Sequence, residues 1–420
     1  MPTNPLATNP LATLAQRRIE DKAMALLARP EMARVRQVVT LLWRDATAWP
    51  SRDQADRFEP MIEEYLFHHA MRAANGDANH PEATRFMAPP HRWFGREVPG
   101  SRWAGDSPDF VYRTIPIAHG GKYEIRGTAS CAEPPSVNYS LMDNNSAAPQ
   151  TQAILDSLDM DIAPDGSFTI TVDDTPAEGR KSHIQTRPGA DWIMVRDAFG
   201  NWQTQGANAL EVIRLNPEAG PKSDEDMARH LAKIAVDGVY YTFYITHTGY
   251  GQAPNELRAP MSAGAFGGMP TQWGTKGNVW LDEDEALIVR SNAAGAGFRN
   301  LVLTDAFHIS IEYWQRTSSL NMDQLAEDAD GDYTCVIAHR DPGIHNWLDT
   351  GGLRRTQFGQ RWQAFSRGEQ HSDPWMTARL VKFDALEREL PAGVARIDAI
   401  GRHEQLTARG AGYARRFAED

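Results

Sequence analysis

Residues 111–129 read VYRTIPIAHGGKYEIRGTA, two β-branched and aromatic runs, Val111–Ile117 and Lys122–Ala129, broken by Gly120 and Gly121. Short runs of this kind recur at Ser136–Met142, Gly166–Val172, Ser182–Thr186, Ile193–Val195 and Leu210–Leu215. They follow one another too closely for helical crossovers between parallel strands, so the pattern predicts antiparallel sheets in a sandwich or open barrel. After a Gly/Pro/Ala-rich connection over Pro254–Pro270, further strands are expected at about 277–281, 286–291, 301–303, 306–314, 333–338 and 375–381. The β-rich region thus spans residues 89–385, opening at Pro89-Pro90.

Helical periodicity flanks and interrupts it. Residues 14–88 form an N-terminal module with helices expected at 14–29, 31–48 and 53–75, separated by Pro30 and by Trp49-Pro50-Ser51. In the third, Phe58, Ile62, Tyr65, Leu66 and His69 make one apolar stripe. Within the β region, Ser223 with Asp226 resembles a capping box, and Met227, Leu231, Ile234 and Gly238 have helical spacing, so a helical insertion is expected over 223–247. The Tyr240–Ile245 part of it reads equally well as a strand. Residues 386–420 form a helical tail, with helices expected at Leu386–Leu390 and Leu406–Phe417. Residues 1–13 hold a tandem pentapeptide from Asn4 to Thr13 with no apolar block; they read as an unstructured arm without a secretory signal. The fold class is α+β.

The 420 residues exceed the roughly 250–300 at which one core stops growing, so at least two modules are expected. A content of 41% hydrophobic and 23% charged residues is globular, and no run approaches the ~18 apolar residues of a membrane span. The net charge of -12 repels phosphate backbones, which argues against nucleic acid as a partner. Cys131 and Cys335 are too few for a disulfide framework and suit a reducing, cytoplasmic setting. GxGxxG and GxxxxGK[ST] are both missing, and Gly264–Gly268 lacks a following helix signal, so no nucleotide cofactor is expected. An excess of aromatics, with 12 Trp, points instead to packing or to ring stacking.

Candidate chemistry concentrates late in the chain. His68 and His69 point about 100° apart on a helix and cannot share one metal, and Asp328–Asp332 lacks the closing Glu of a calcium loop, so no metal site is expected. If 306–314 is a strand, Phe307, Ile309, Ile311 and Tyr313 line one face and His308, Ser310, Glu312 and Trp314 the other, a polar row able to move protons if it borders a cavity and a solvated face otherwise. The densest polar block, His339-Arg340-Asp341-Pro342-Gly343-Ile344-His345-Asn346-Trp347-Leu348-Asp349-Thr350, offers bases, a cation and an aromatic wall, or else a self-bonded loop whose Asp and Asn cap its own amides.

The block 339–352, with Tyr313, Thr317–Asn321, Asp328–Gly331 and Arg361-Trp362, resembles the bacterial family called domain of unknown function 1214. Upstream, Trp103–Asp109, Tyr112 and Tyr123–Gly127 are similar to the opening of its longer members, and the likeness covers about residues 90–365. The resemblance implies an antiparallel β-sandwich with helical additions and a cavity built partly from the Asn-Trp-Leu loop. It implies no established reaction. A sulfotransferase label carried by some members would need a phosphosulfate loop at a helix N-terminus, and none is found. Where members commonly have His and Gly after the loop, this chain has Leu353-Arg354-Arg355, an altered rim.

These observations lead to the expectation of a cofactor-independent lyase for a bulky aromatic small molecule, such as retro-aldol-like release of formaldehyde from a phenylcoumaran-type lignin dimer. A hydrophobic-ligand carrier or a hydrolase is the alternative. His339 or His345 would be the base, Tyr313 a proton relay and Asp349 the residue that orients a His or Arg. Arg340 and Arg361 would hold an anionic oxygen, Trp314 and Trp347 would stack on rings, and Asn346, Asn321, His308 and Glu312 would complete the binding surface. A homodimer is expected, with the helical module and the arm supplying the contact.

Overall fold

In a computed structural model, the structure describes residues 9–47, 52–130, 135–143, 150–218, 220–266, 268–365 and 371–419. Cys131, most of the arm and the Trp49–Ser51 break lie outside them. Among the described residues there are six α-helices: α1 (Leu14–Leu27), α2 (Met32–Ala46), α3 (Ala55–Ala74), α4 (Asp224–Gly249), α5 (Leu386–Glu389) and α6 (Ala399–Ala414). None is long and apolar enough to cross a membrane.

The strands form two sandwiches, as the fold class requires. The first half holds β1 (Thr84–Phe86), β2 (His91–Trp93), β3 (Arg96–Val98), β4 (Phe110–Pro116), β5 (Tyr123–Thr128), β6 (Ser136–Asp143), β7 (Thr151–Asp156), β8 (Ser167–Asp173), β9 (His183–Gln185), β10 (Ala190–Ala198) and β11 (Ala209–Arg214). The second holds β12 (Met261–Ser262), β13 (Trp273–Trp280), β14 (Glu285–Ser291), β15 (Ala296–Thr304), β16 (Ser319–Asn321), β17 (Tyr333–Ala338), β18 (Trp347–Asp349), β19 (Arg355–Phe365) and β20 (Met376–Lys382). A five-stranded sheet ordered β1-β4-β10-β6-β7 packs on a four-stranded one ordered β11-β5-β8-β9, enclosing Ile115, Ile125, Tyr139, Ile170 and Ile193. In the second half the sheets run β12-β13-β19-β15-β16 and β18-β17-β14-β20, around Leu287, Leu301, Leu303, Ile337 and Phe358.

The two orders are the same order. Matching β4 to β13 and following the chain onward pairs every strand of the first sandwich with one of the second, including the parallel pairs β8·β9 and β17·β18. The register agrees as well: Thr186 N–H bonds the carbonyl of Asp173 beyond β8·β9, and Thr350 N–H bonds that of Ala338 beyond β17·β18. The chain is therefore a tandem duplication of one sandwich, and the polar block 339–350 is the second copy of a connection whose first copy runs through 174–186.

Helices α1–α4 cover the outer faces of the two five-stranded sheets in one shared core with Phe58, Tyr65, Trp103, Phe110, Tyr112 and Phe298. The helix of 223–247 extends to Gly249, so Tyr240–Ile245 is helical; Ile234, Gly238, Tyr241, Ile245 and Thr248 repeat on one face. The first part of the tail lies over the outer face of the β14 sheet, where Leu386 and Val394 meet Ile288 and Val336, and its end packs Tyr413 and Phe417 on the helical core. The described end of the arm is docked: Leu11 is buried and Asn9 Nδ2 donates to the carbonyls of Arg416 and Ala418 at 3.3 and 3.0 Å.

Residues 306–314 are not a strand. Asp305 Oδ1 accepts the amides of Phe307 and Ile309 at 2.9 and 3.1 Å, and His308 takes φ 64°, which curls the chain. The alternation has another origin: Phe307, Ile309 and Tyr313 enter the helical core while Ile311 enters the second sandwich.

The halves are clamped by the segment Trp103–Asp109. Asp109, fully buried, accepts Trp202 Nε1 at 2.9 Å, Asn300 Nδ2 at 2.8 Å and Asn321 Nδ2 at 2.7 Å, the last two from β15 and β16. Asp106 takes the hydroxyl and amide of Ser310 at 2.6 and 3.0 Å. Asp109→Asn turns part of that acceptor into a donor facing donors, and it is expected to cost about 3 kcal/mol or more in urea unfolding. A cost under about 1 kcal/mol in the same titration contradicts the clamp.

Candidate functional site

The outer sheet faces meet where Phe110 packs on Phe298, ring centres 5.3 Å apart, and part beyond that contact. Between them lies a cavity of about 300 Å³, walled by the outer faces of β10 and β4 on one side, of β13 and β19 on the other, and by α3 and α4. Period-two alternation on β10 sends Ile193 and Val195 into the sandwich and turns Trp192, Met194 and Arg196 to the cavity. On β19, Phe358 enters the second core and Gly359 and Arg361 face out; on β13, Gly274 and Lys276 do. Tyr112, Tyr241, Tyr244 and Tyr250 close the walls.

The cavity is a place of positive charge. Arg196, Arg258, Lys276 and Arg361 line it, and among the described residues Asp237 is the one carboxylate of the lining, its own partner being Lys233 at 2.6 Å. Among the described residues Arg196, Lys276 and Arg361 form no ion pair. Arg361 Nη2 donates to the Gly105 carbonyl at 3.0 Å and Arg196 Nη1 to Ser140 Oγ at 2.8 Å. Arg258 Nη2 donates to the Thr248 carbonyl, at the C-terminal end of α4, where the helix dipole favours cations. Lys276 Nζ makes no hydrogen bond among the described residues and lies 5.2 Å from the centre of the Tyr250 ring. Burial, with Arg361 and Arg258 beside it, pulls Lys276 down to about 8. Burial likewise lowers Arg196 and raises Tyr112, Tyr241 and Tyr250, the last to about 12.

On α3, His68 and His69 border the cavity inside an aromatic cluster with Trp103 and Tyr65. Burial drives His68 down to about 3 and holds His69 well below the usual imidazole value, so both are neutral near pH 7. His68 Nδ1 meets the Ser101 carbonyl at 3.0 Å, whereas among the described residues neither ring nitrogen of His69 has a partner. Arg72, stacked at 4.2 Å on Trp192, stands with that ring between this cavity and an outer one of about 530 Å³ that also reaches Asp191 and His230.

Of the residues expected from sequence, Arg361 lines the cavity. His308 lies just behind it, fully buried, with Nε2 2.8 Å from Thr246 Oγ1 and its ring against Tyr250. The others are held elsewhere by partners of their own. His339 Nδ1 is 2.6 Å from Thr350 Oγ1, and His345 Nδ1 is 3.2 Å from Asn346 Oδ1. Asn346 brackets the carbonyls of Ala326 and Thr334 at 2.7 and 3.1 Å. Trp347 Nε1 donates to the Ala338 carbonyl at 3.1 Å, Arg340 stacks on Phe383, and Asp349 accepts Arg316 at 2.9 Å. Asn321 belongs to the Asp109 clamp, Glu312 pairs with Arg57 at 2.8 Å, and Tyr313 and Trp314 pack on Tyr413 beneath the C-terminal tail. The polar row 308–314 is dispersed because its strand does not form, and the block 339–350 edges the β17 sheet as its counterpart edges the first.

Arg196, Arg258, Lys276 and the tyrosines carry no local motif. The signal that finds them is the duplication. Arg196 faces Tyr112 across β10·β4, and Arg361 faces Gly274 across β19·β13. Two residues on, Met194 faces Thr114 in the first copy, and Gly359 faces Lys276 in the second. The arginine is common to both. The second copy has glycine where the first has Tyr112 and Met194, and lysine where it has Thr114.

No family model matches the sequence, and no curated protein matches it. Among solved structures the chain is similar to an uncharacterised protein from Burkholderia cenocepacia, at 22% identity and a TM-score of 0.71, covering 86% of this chain and 99% of that one. A protein from Vibrio parahaemolyticus aligns at 11% identity and a TM-score of 0.43, over 81% of this chain and all of that one. The first likeness shows a shared fold.

Half-burying an ammonium that has no ion pair among the described residues costs stability. Lys276 has a folded pKa below its unfolded value near ~10.4, so the unfolded chain binds more protons between about 8 and ~10.4. The penalty is whole below pH 8 and fades as pH rises through that window. Lys276→Met is therefore expected to be more stable than wild type near neutral pH, by about 2 kcal/mol, with the gap closing toward pH ~10.4. Thermal melts of the two proteins across that range check it; parallel Tm curves would contradict the buried, unpaired state.

Proposed function

We propose that the protein takes an anionic aromatic small molecule into this cavity and acts on it as a cofactor-independent lyase. One observation carries the reading: Arg196, Lys276 and Arg361 face a common space walled by tyrosine and tryptophan rings, and among the described residues no carboxylate is paired to any of them. Such a field is unfavourable until an anion enters, and it then attracts that anion in a setting where water screens little. The rings supply the stacking surface for an aromatic body. His69, neutral with two unpartnered nitrogens, offers a donor or an acceptor to a bound polar group.

The lyase part rests on what this environment favours. In a retro-aldol-like cleavage a hydroxyl proton is removed, the neighbouring carbon–carbon bond breaks, an aldehyde leaves, and the electron pair passes into the conjugated remainder. Arg361 and Arg196 hold the anionic oxygen of that remainder, and electrostatic support of developing charge at a site of this kind is worth ~10²–10³-fold. A phenylcoumaran-type dimer losing formaldehyde is the substrate we favour. The proton acceptor is sought among the cavity groups, since His339 and His345 stand outside the lining.

A non-catalytic carrier uses the same cavity, and turnover separates the two. Aromatic carboxylates are expected to quench the fluorescence of Trp103 and Trp192, while their amides do not. Arg361→Gln is expected to weaken the carboxylates by ~10²-fold, the cost of about 3 kcal/mol for removing one buried charged partner. Aldehyde release from lignin-derived dimers then marks the lyase, and binding without release marks the carrier. Equal affinity for acid and amide defeats both.

A further inference from the structure

We infer that Lys276 forms an imine with a carbonyl group of the ligand, so that the substrate is an aromatic aldehyde or ketone that also carries an anionic group. The inference rests on the cavity being the binding site proposed above and goes beyond it in naming a covalent residue and a substrate class.

The internal duplication provides the first argument. Both copies keep the cavity-facing arginine, so positive charge alone does not require a second cation; yet the second copy adds Lys276 at the position of Thr114. It also clears the ground around that lysine. Gly359 stands directly opposite Lys276, and Gly274 directly opposite Arg361, so the two cations sit diagonally over a floor of two glycines. A Cβ at Gly359 would find only the Thr275 carbonyl, at 4.0 Å, which leaves open space beside the lysine for a substrate atom.

The second argument is the state of the amine. Among the described residues Lys276 Nζ has no carboxylate and no hydrogen-bond acceptor holding it as an ammonium, and Arg361 and Arg258 repel its proton. Near neutral pH a usable fraction is the free amine, the form that attacks a carbonyl. An arginine cannot do this, because its guanidinium keeps its proton. Lysine at this one site, amid arginines, is a difference in chemistry as well as in shape.

The step balances with water as the sole by-product. The amine adds to the carbonyl carbon, the carbon–oxygen double bond gives way to carbon–nitrogen, and the oxygen leaves as water with the two amine protons. The protonated imine is a stronger electron sink than the carbonyl it replaces. It therefore accepts the pair released by a retro-aldol cleavage, and hydrolysis returns the lysine.

The test uses the whole protein, 4-formylbenzoate as the aldehyde probe, benzoate as the competitor, and sodium cyanoborohydride to trap the imine. Peptide mass mapping is expected to find the aldehyde less one oxygen added at Lys276 at least about tenfold faster than at exposed lysines such as Lys122, with benzoate suppressing the difference. Lys276→Met should lose that labelling while the exposed lysines, Lys122 among them, label at the wild-type rate. If benzoate binds and Lys276 labels no faster than the exposed lysines, the imine is wrong and the anion site stands. If benzoate does not bind, the site fails and the inference falls with it.

Discussion

The architecture hangs on one buried carboxylate. Asp109 directly precedes β4 of the first sandwich, yet two of its three side-chain donors, Asn300 and Asn321, belong to the second. A carboxylate withdrawn from water must have its oxygens filled, and charge-assisted bonds at about 1.5–3 kcal/mol each hold those donors in one place. That fixes β4 against β15 and β16. The same short segment supplies the Gly105 carbonyl that orients Arg361 and the Asp106 carboxylate that receives Ser310. The gap between the five-stranded sheets is therefore bounded by a polar clamp and by the adjoining Phe110–Phe298 contact, beyond which the two faces part.

The helices follow from that gap. Each outer face is too apolar to stay in water, and α4 reaches both because its buried stripe runs from Met227 to Ile245. Gly238 lies where α4 crosses α3; a Cβ there would come within 2.6 Å of Tyr65 Oη and His69 Nε2. Close approach at that crossing puts Tyr241, Tyr244 and Tyr250 over the cavity instead of in solvent.

Much of the fold was legible because its elements are short and their faces one-sided. The expected strand at 333–338 and the helices near 14–29 and 53–75 fall close to the observed elements, since period-two and period-3.6 burial leave direct traces in the order of residues. Residues 306–314 misled for a physical reason: two cores took alternate side chains from a curled segment, which imitates a strand. The strand β19 was missed although it is central, because Gln357, Gln360 and Gln363 on it are buried and polar. The site was less legible still. Polar residues crowded in 339–350 signalled chemistry, but their bonds close a sheet edge; Asn346 alone satisfies two carbonyls there. The duplication behind them survives in few identities, such as Asp165-Gly166 with Asp330-Gly331 and Thr169 with Thr334, too sparse to notice without the matching strand order.

That duplication also decides how the cavity should be weighed. A sandwich of this topology needs no cations on its outer sheet, because a helix could cover it with apolar contacts alone. The first copy approaches that state, with Tyr112, Met194 and Thr114 filling the face around one arginine. The second copy departs from it at each equivalent position, giving up two side chains of packing and adding a lysine whose proton burial disfavours. Lost packing and an unpaired buried cation both act against folding, and the two losses fall on neighbouring residues of one face. Stability alone does not keep such a pair of losses together; a ligand that fills the space and meets the charge does.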